Sequence, residues 1–174
     1  AYGALVIAAT LGVLYLYRGR PFIVYWIGAW LFIAAALAIV THRYGYIALG
    51  DMLIGLAALL IVWATGLVLM AARAFPATAL RLTGAVRFAA ASAVWFLAGP
   101  FFLTPAAIVG SGLLATGALI GAAAFQYLRL SQRGRYAGAF IIGAGLMVLG
   151  LSNLAGSPAL LNIVDPSLPN RLVI

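Results

Sequence analysis

Residues 18–41 read RGRPFIVYWIGAWLFIAAALAIVT. Two arginines and a proline lead into a run from 22 to 41 that has no charged side chain. A helix of about 20 residues is long enough to cross about 30 Å of hydrocarbon. Similar runs recur along the chain, rich in Ala, Leu, Gly and Ile, without the alternating polarity of barrel strands. The sequence therefore predicts an all-α fold, a polytopic bundle of transmembrane helices.

The apolar runs predict a single domain over residues 1–174 with six membrane spans. The predicted spans are 1–17, 22–41, 47–71, 84–99, 104–127 and 136–155. A polar, proline-containing outer loop is predicted at 156–170. The last four residues, RLVI at 171–174, are predicted to open a seventh span.

Composition supports a membrane location and excludes several kinds of site. Of the 174 residues, 67% are hydrophobic and 7% are charged, whereas soluble domains are about 25% charged. The net charge of +8 comes from ten basic residues, all arginine, against two aspartates. Because the arginines lie between apolar runs, the positive-inside rule explains them and we expect no nucleic-acid partner. The absence of cysteine excludes disulfides and thiolate metal sites.

The arginines also predict the orientation of the bundle, since basic residues in short loops stay in the cytoplasm. The connections after spans one, three and five hold Arg18, Arg20, Arg73, Arg81, Arg87, Arg129, Arg133 and Arg135. The connections on the other side hold only Arg43 and Arg171. We therefore expect an N-terminus outside the cell and arginine-rich loops in the cytoplasm.

Reactive side chains are few, and we expect neither an enzyme nor a metal site. His42 is the only histidine; it could ligate the metal of a tetrapyrrole, but haem in helical bundles commonly needs a second axial ligand. An interfacial, solvated histidine is the simpler interpretation. Asp51 and Asp165 both fall near outer span ends, where a carboxylate at a helix start is favoured by the helix dipole. Asp51 could also pair with Arg43 across the short loop.

Small residues in span five give the clearest packing signal. Gly117 and Gly121 form a GxxxG pattern, and Ser111 with Ala115 extends a row of small residues on another face. Such rows let helix backbones approach closely in lipid. We expect them to pack on another span of the same chain, with a second protomer as the alternative.

The opening stretch combines an anchor with one residue that the anchor does not explain. Arg18 and Arg20 hold the loop inside, and Tyr25 and Trp26 lie near the interfacial aromatic belt. Trp30 lies about 13 Å beyond the start of the helix, close to the bilayer middle, where an indole N–H needs a partner. We therefore expect Trp30 to face the bundle or a neighbouring subunit.

Two stretches resemble a known family. RGRPFIVYWIGAWLFIAAALAI and AGAFIIGAGLMVLGLSNLAGSPALL are similar to helices in the multi-spanning N-terminal regions of bacterial histidine kinases and GGDEF diguanylate cyclases. The resemblance implies a sensory module of the bacterial cytoplasmic membrane that passes a signal to a cytoplasmic enzyme domain. It implies no activity in these residues, because the enzymatic domain of such proteins lies beyond the membrane region.

Two functional hypotheses follow. The first is a non-catalytic sensor or signalling domain that transmits a signal by helix repacking, with a ligand in the outer half of the bundle near Trp95, Pro100, Pro105 and Asp165. The second is a structural accessory subunit of a photosynthetic or respiratory membrane complex. In that case the chain would contact lipids, pigments and other membrane subunits. A homodimer is the alternative assembly, and a homodimer without pigment would count against this second hypothesis. No cofactor is required by either hypothesis.

Overall fold

The computed structural model describes residues 1–42, 50–75, 83–134 and 137–162, and these residues form helices and no strand. The helices are α1 (Tyr2–Arg18), α2 (Pro21–His42), α3 (Gly50–Ala74), α4 (Thr83–Ala98), α5 (Pro105–Gly134) and α6 (Ala137–Asn162). A short 3-10 turn, Gly99–Phe101, follows α4. The all-α prediction is confirmed for the described residues.

Five helical segments of the described residues are long and apolar enough to cross a membrane, and α4 reaches this length only together with the 3-10 turn that follows it. The candidate spans are Pro21–Thr41, Met52–Ala74, Gly84–Phe101, Pro105–Gln132 and Gly138–Ala155. The remaining helix, α1, has 17 residues and is about 26 Å long, short of the hydrocarbon thickness of about 30 Å. A sixth span in α1 therefore stays a prediction, and the predicted seventh span lies outside the described residues.

Two helices continue past their predicted ends. Helix α5 ends at Gly134 rather than at 127, because the added residues LRLSQRG include Leu, Arg and Gln, which favour helix. Helix α6 continues to Asn162 through Pro158, so residues 156–162 of the predicted outer loop are helical, although the candidate span ends at Ala155 as predicted. A proline removes one backbone hydrogen bond, a loss that membrane helices tolerate.

The helices pack in a row with one helix to the side. In the row, α1 packs on α2, α2 on α3, α3 on α5, and α5 on α6, while α4 packs mainly on α3. The C-terminal ends of α1, α3 and α5 and the N-terminal ends of α2, α4 and α6 lie at one end of the bundle, which we call the arginine-rich end. There the Phe22 ring at the start of α2 lies 4.9 Å from the Phe75 ring that follows α3. At the opposite end Phe96 of α4 reaches α3 and α5.

The buried core follows α3 and α5 in two parts. Toward the arginine-rich end, Tyr127 and small residues of α2, α3, α5 and α6 form the first cluster. Toward the opposite end, the second cluster joins three helices through Leu59, Val62, Phe96 and Ile108. Helices α3 and α5 therefore form the scaffold of the bundle, and α4 is attached to this scaffold at the second cluster.

Candidate functional site: a groove between α3, α4 and α5

The C-terminal end of α4 packs through Phe96 on two glycines, Gly55 of α3 and Gly112 of α5, and we call this contact the α4 seat. Phe96 is only 3% exposed and its ring lies against Gly112 of α5. A Cβ on Gly55 of α3 would overlap the Phe96 carbonyl oxygen and lie 2.9 Å from the Pro100 ring. Glycine at 55 therefore lets the α4 backbone touch the α3 backbone at this point.

Two tryptophans connect α4 to its neighbours by hydrogen bonds to serines. The Trp63 indole of α3 donates to the Ser92 hydroxyl of α4 at 3.0 Å. The Trp95 indole of α4 donates to the Ser111 hydroxyl of α5, also at 3.0 Å. Each serine in turn donates within its own helix, Ser92 to the Phe88 carbonyl at 2.8 Å and Ser111 to the Ile108 carbonyl at 2.9 Å. Each serine hydroxyl therefore already uses its single donor proton.

A groove lies between these contacts and opens on the surface of the bundle. It has a volume of about 260 Å³ and is lined by Val62, Phe88, Ala91, Ser92, Trp95, Phe96, Ser111 and Ala115. The lining is apolar apart from the two hydroxyls, whose protons are already engaged. The volume falls just below the range of about 300–1,000 Å³ typical of small-molecule pockets. The groove is thus suited to part of a hydrocarbon chain.

Span-five residues singled out from the sequence lie at two different contacts. Gly117 and Gly121 lie against α6 of the same chain, where a Cβ on Gly150 would be 3.3 Å from the Gly117 carbonyl oxygen and 3.2 Å from the Gly121 nitrogen. Ser111, placed on another face by its spacing, lines the groove and accepts the Trp95 bond.

The two tryptophans of α2 differ in their contacts. The Trp26 indole donates to the Tyr127 hydroxyl of α5 at 3.1 Å, a contact that its interpretation as an anchor did not anticipate. Trp30 is half-buried, and no hydrogen bond between described residues involves its indole. A contact of Trp30 with a neighbouring subunit stays a prediction.

None of the arginines whose side chains the structure describes lines the groove. Arg18, Arg20 and Arg129 are exposed, and Tyr25 is half-buried. Arg133 lies in the last turn of α5 with its side chain outside the described residues, and Arg135 lies wholly outside them.

The candidate ligands of metals and cofactors are at helix ends. His42 is the last residue of α2 and Asp51 the second of α3, and the structure describes neither side chain, while Asp165 lies outside the described part of the chain. Among the described residues, no three His, Cys, Asp or Glu side chains come together as a metal site would require. The tetrapyrrole alternative for His42 stays untested.

Sequence reasoning singled out Trp95 and Ser111 but missed the other residues that attach α4, namely Trp63, Ser92, Phe96, Gly55 and Gly112. A tryptophan and a serine in the middle of two apolar spans were a usable signal, because polar groups inside a membrane helix seek partners on other helices. Nothing in the sequence indicated to which serine each indole would donate its hydrogen bond. No protein family, curated protein or solved structure matches the chain.

Proposed function

We propose that the protein is a non-catalytic membrane module of the sensor type, which transmits a signal when α4 changes its packing on α3 and α5. The observation that carries the proposal is the open groove beneath α4. A ligand shifts a helix only if it binds one packing better than the other. A hydrocarbon chain in the groove would do so, because it adds apolar contacts only where α4 stands off from its neighbours.

The sparse contacts of α4 support it as the element that moves. Helix α4 makes far fewer contacts with α3 than α6 makes with α5, although the apolar stretches of α4 and α6 are equally little buried, with 17% of their residues buried against 39% in α3 and 44% in α5. Elements with few buried contacts open at lower free-energy cost than the core does. Hydrogen bonds between membrane helices average only about 0.6 kcal/mol, so the Trp63 and Trp95 bonds would permit such a movement.

The arginine distribution supports the orientation. We propose a multi-pass protein of the bacterial cytoplasmic membrane with its N-terminus outside, so that the groove lies in the outer half of the bundle. A movement of α4 would then reach the cytoplasmic side through the connections at the arginine-rich end. This is the direction of signalling that the resemblance to kinase and cyclase sensor regions implies.

The proposal is tested by filling the groove and measuring helix positions. Because the chain has no native cysteine, spin labels can be attached at introduced cysteines on exposed positions. One pair joins Val94 of α4 to Phe125 of α5, and a reference pair joins Phe125 to Ile141 of α6. Ala115→Leu adds a side chain inside the groove, whereas Ala118→Leu adds the same volume on an exposed face of α5.

We expect Ala115→Leu to change the distance from 94 to 125 and to leave the reference distance unchanged. Ala118→Leu should change neither distance. Palmitate, as a probe with a single hydrocarbon chain, should move the wild-type α4 in the same direction as Ala115→Leu. If α4 keeps its position in both experiments, the groove is only a packing gap and the proposed mechanism is wrong.

The alternative, an accessory subunit of a photosynthetic or respiratory complex, is favoured by the two edges of the row. Helix α1 packs mainly on α2, and α6 mainly on α5, and α6 presents Ile141 and Val148 at 71% and 67% exposure. Partner subunits, lipids or pigments could cover such edges. Purification from native membranes tests this hypothesis: co-migrating subunits or pigments would support it, whereas a homodimer without pigment would count against it.

A further inference from the structure

A second cavity lies at the arginine-rich end, well away from the groove under α4. It has a volume of about 380 Å³ and is lined by Leu14, Arg18, Arg20, Phe22, Ile23 and Phe75. One wall carries the two guanidinium groups, and the rest is apolar. A cavity with one basic wall and an otherwise apolar lining fits a ligand that has an anionic head and an apolar tail.

The turn between α1 and α2 holds the two arginines at the cavity. Gly19 ends α1 in the left-handed conformation, with φ of 59°, and its N–H donates to the Tyr15 carbonyl at 2.7 Å. Glycine adopts this conformation without the steric cost of a side chain. The chain therefore reverses within the two residues between the helices, and both arginines line one cavity.

The positive charge at this cavity has no neutralising partner within the described residues. Neither Arg18 nor Arg20 forms a hydrogen bond or ion pair there. Asp51 lies at the other end of α3, about 35 Å from Phe75 along the helix. The N-terminus of α2 adds the positive end of its dipole.

From these features we propose that the cavity binds the phosphate of an anionic phospholipid. Arg18 and Arg20 contact the phosphate oxygens, for which the planar guanidinium is well matched. The first part of an acyl chain lies on Leu14 and on the paired rings of Phe22 and Phe75. The apolar wall is what favours a lipid over a soluble phosphate, because a free anion would gain nothing from it. Basic pockets between membrane helices bind lipid head groups in this way.

The test measures the binding of phosphatidylglycerol to the full chain in neutral detergent, by native mass spectrometry, with phosphatidylcholine as the uncharged reference lipid. The variant is the double substitution Arg18→Gln and Arg20→Gln. The matched control, Arg87→Gln with Arg129→Gln, removes the same charge from two exposed arginines that do not line the cavity.

We expect the double variant to weaken binding of phosphatidylglycerol on the order of 25-fold, about fivefold for each arginine near the surface. The control should stay within about twofold of wild type, and phosphatidylcholine should bind all three proteins weakly and equally. Equal losses in the variant and the control would show diffuse charge attraction and would overturn the site, as would no loss in either.

Two further measurements separate a lipid from a soluble phosphate and a site effect from misfolding. Glycerol phosphate should fail to displace the lipid, and Phe75→Ala should weaken lipid binding; displacement at comparable concentration would overturn the lipid assignment. If the glutamine variant loses helical circular dichroism, Arg18→Lys with Arg20→Lys replaces it. That variant keeps the charge but loses the paired contacts to phosphate, and we expect a loss of about threefold to tenfold. Wild-type affinity in a folded lysine variant would contradict the guanidinium contacts.

Discussion

Helices α6 and α4 both contact α5, but they do so by different means. Between α5 and α6, glycines bring the backbones together at two levels: a Cβ on Gly117 would lie 3.1 Å from the Gly150 carbonyl, and one on Gly143 would lie 3.0 Å from the Leu128 nitrogen. Among the described residues, α4 approaches the scaffold most closely where Phe96 meets Gly55 and Gly112. The Trp95 to Ser111 hydrogen bond lies beside this contact, the Trp63 to Ser92 bond lies one helical turn farther along α4, and both border the open groove.

The difference shows how one bundle can contain a fixed and an adjustable contact. Close backbone contact at two levels along a helix resists a shift, because van der Waals packing is lost over many atoms at once. A helix seated at one end can tilt about that seat while its remaining bonds exchange. We therefore expect substitutions at both contacts to lower the unfolding free energy. In the contact between α5 and α6 they would separate packed backbones, and at α4 they would displace Phe96 from the glycines on which it packs.

The largest effect is expected where backbone meets backbone at the α4 seat. Gly55→Ala would place a methyl group on the Phe96 carbonyl and against the Pro100 ring. Neither group can rotate away, so overpacking should lower the unfolding free energy by about 3 kcal/mol. The measurement is unfolding by SDS in mixed micelles, followed by circular dichroism.

Gly112→Ala is the control for this substitution. Its methyl group would lie 3.4 Å from the Ala58 Cβ and 3.6 Å from the Phe96 ring, which are ordinary contacts. We expect the unfolding free energy to change by less than about 1 kcal/mol. Equal losses at positions 55 and 112 would mean that α4 is not seated on α3 as described.

A smaller effect is expected in the contact between α5 and α6. Gly117→Ala would place its methyl group 2.7 Å from the Leu154 Cγ and 3.1 Å from the Gly150 carbonyl. Because the leucine can shift but the carbonyl cannot, we expect a loss of about 1–2 kcal/mol, measured by the same unfolding experiment.

The second glycine of the same GxxxG pattern provides the matched control. A Cβ on Gly121 meets nothing within 4 Å, so Gly121→Ala should gain up to about 1 kcal/mol from better helix propensity. A comparable loss at both positions would indicate that the space at the Gly121 Cβ position is also occupied, for example by a helix of a second protomer.

The contrast between Gly117 and Gly121 shows how much of the packing can be predicted from the sequence. Apolar length predicted the helices well, because a backbone in lipid must satisfy its own hydrogen bonds. The GxxxG pattern indicated a close contact but not which glycine would be critical, since that depends on where Gly150 of α6 falls. The sequence placed a ligand near Trp95, which lines the groove, but also near Pro100 and Pro105, which do not. The form of the groove could not be predicted, because it results from the pairing of Trp63 with Ser92 and of Trp95 with Ser111 across three helices.

The ends of the helices were less predictable than their centres for a related reason. Polar residues that form helix readily, such as those that extend α5 to Gly134, carry no apolar signal. Trp26 shows the same limit, since its position near the membrane surface is equally consistent with an anchor and with its bond to Tyr127. Only the angle at which α2 faces α5 distinguishes the two roles.

The smallest effect is expected from a single hydrogen bond of α4. Trp63→Phe removes the bond to Ser92 but keeps an aromatic ring beside Phe32, whose centroid lies 5.7 Å from the indole. Ser92 retains its bond to its own helix, so no buried proton donor is left unpaired. We therefore expect a loss of about 0.6 kcal/mol in the unfolding experiment, together with a broader distribution of spin-label distances between 94 and 125.

Trp30→Phe makes the same chemical change at an indole without a hydrogen bond in the described residues and should leave that distribution unchanged. If the two substitutions broaden it equally, the indole to hydroxyl bonds do not hold α4, and the distinction between the fixed helix α6 and the adjustable helix α4 would rest on the Phe96 seat alone.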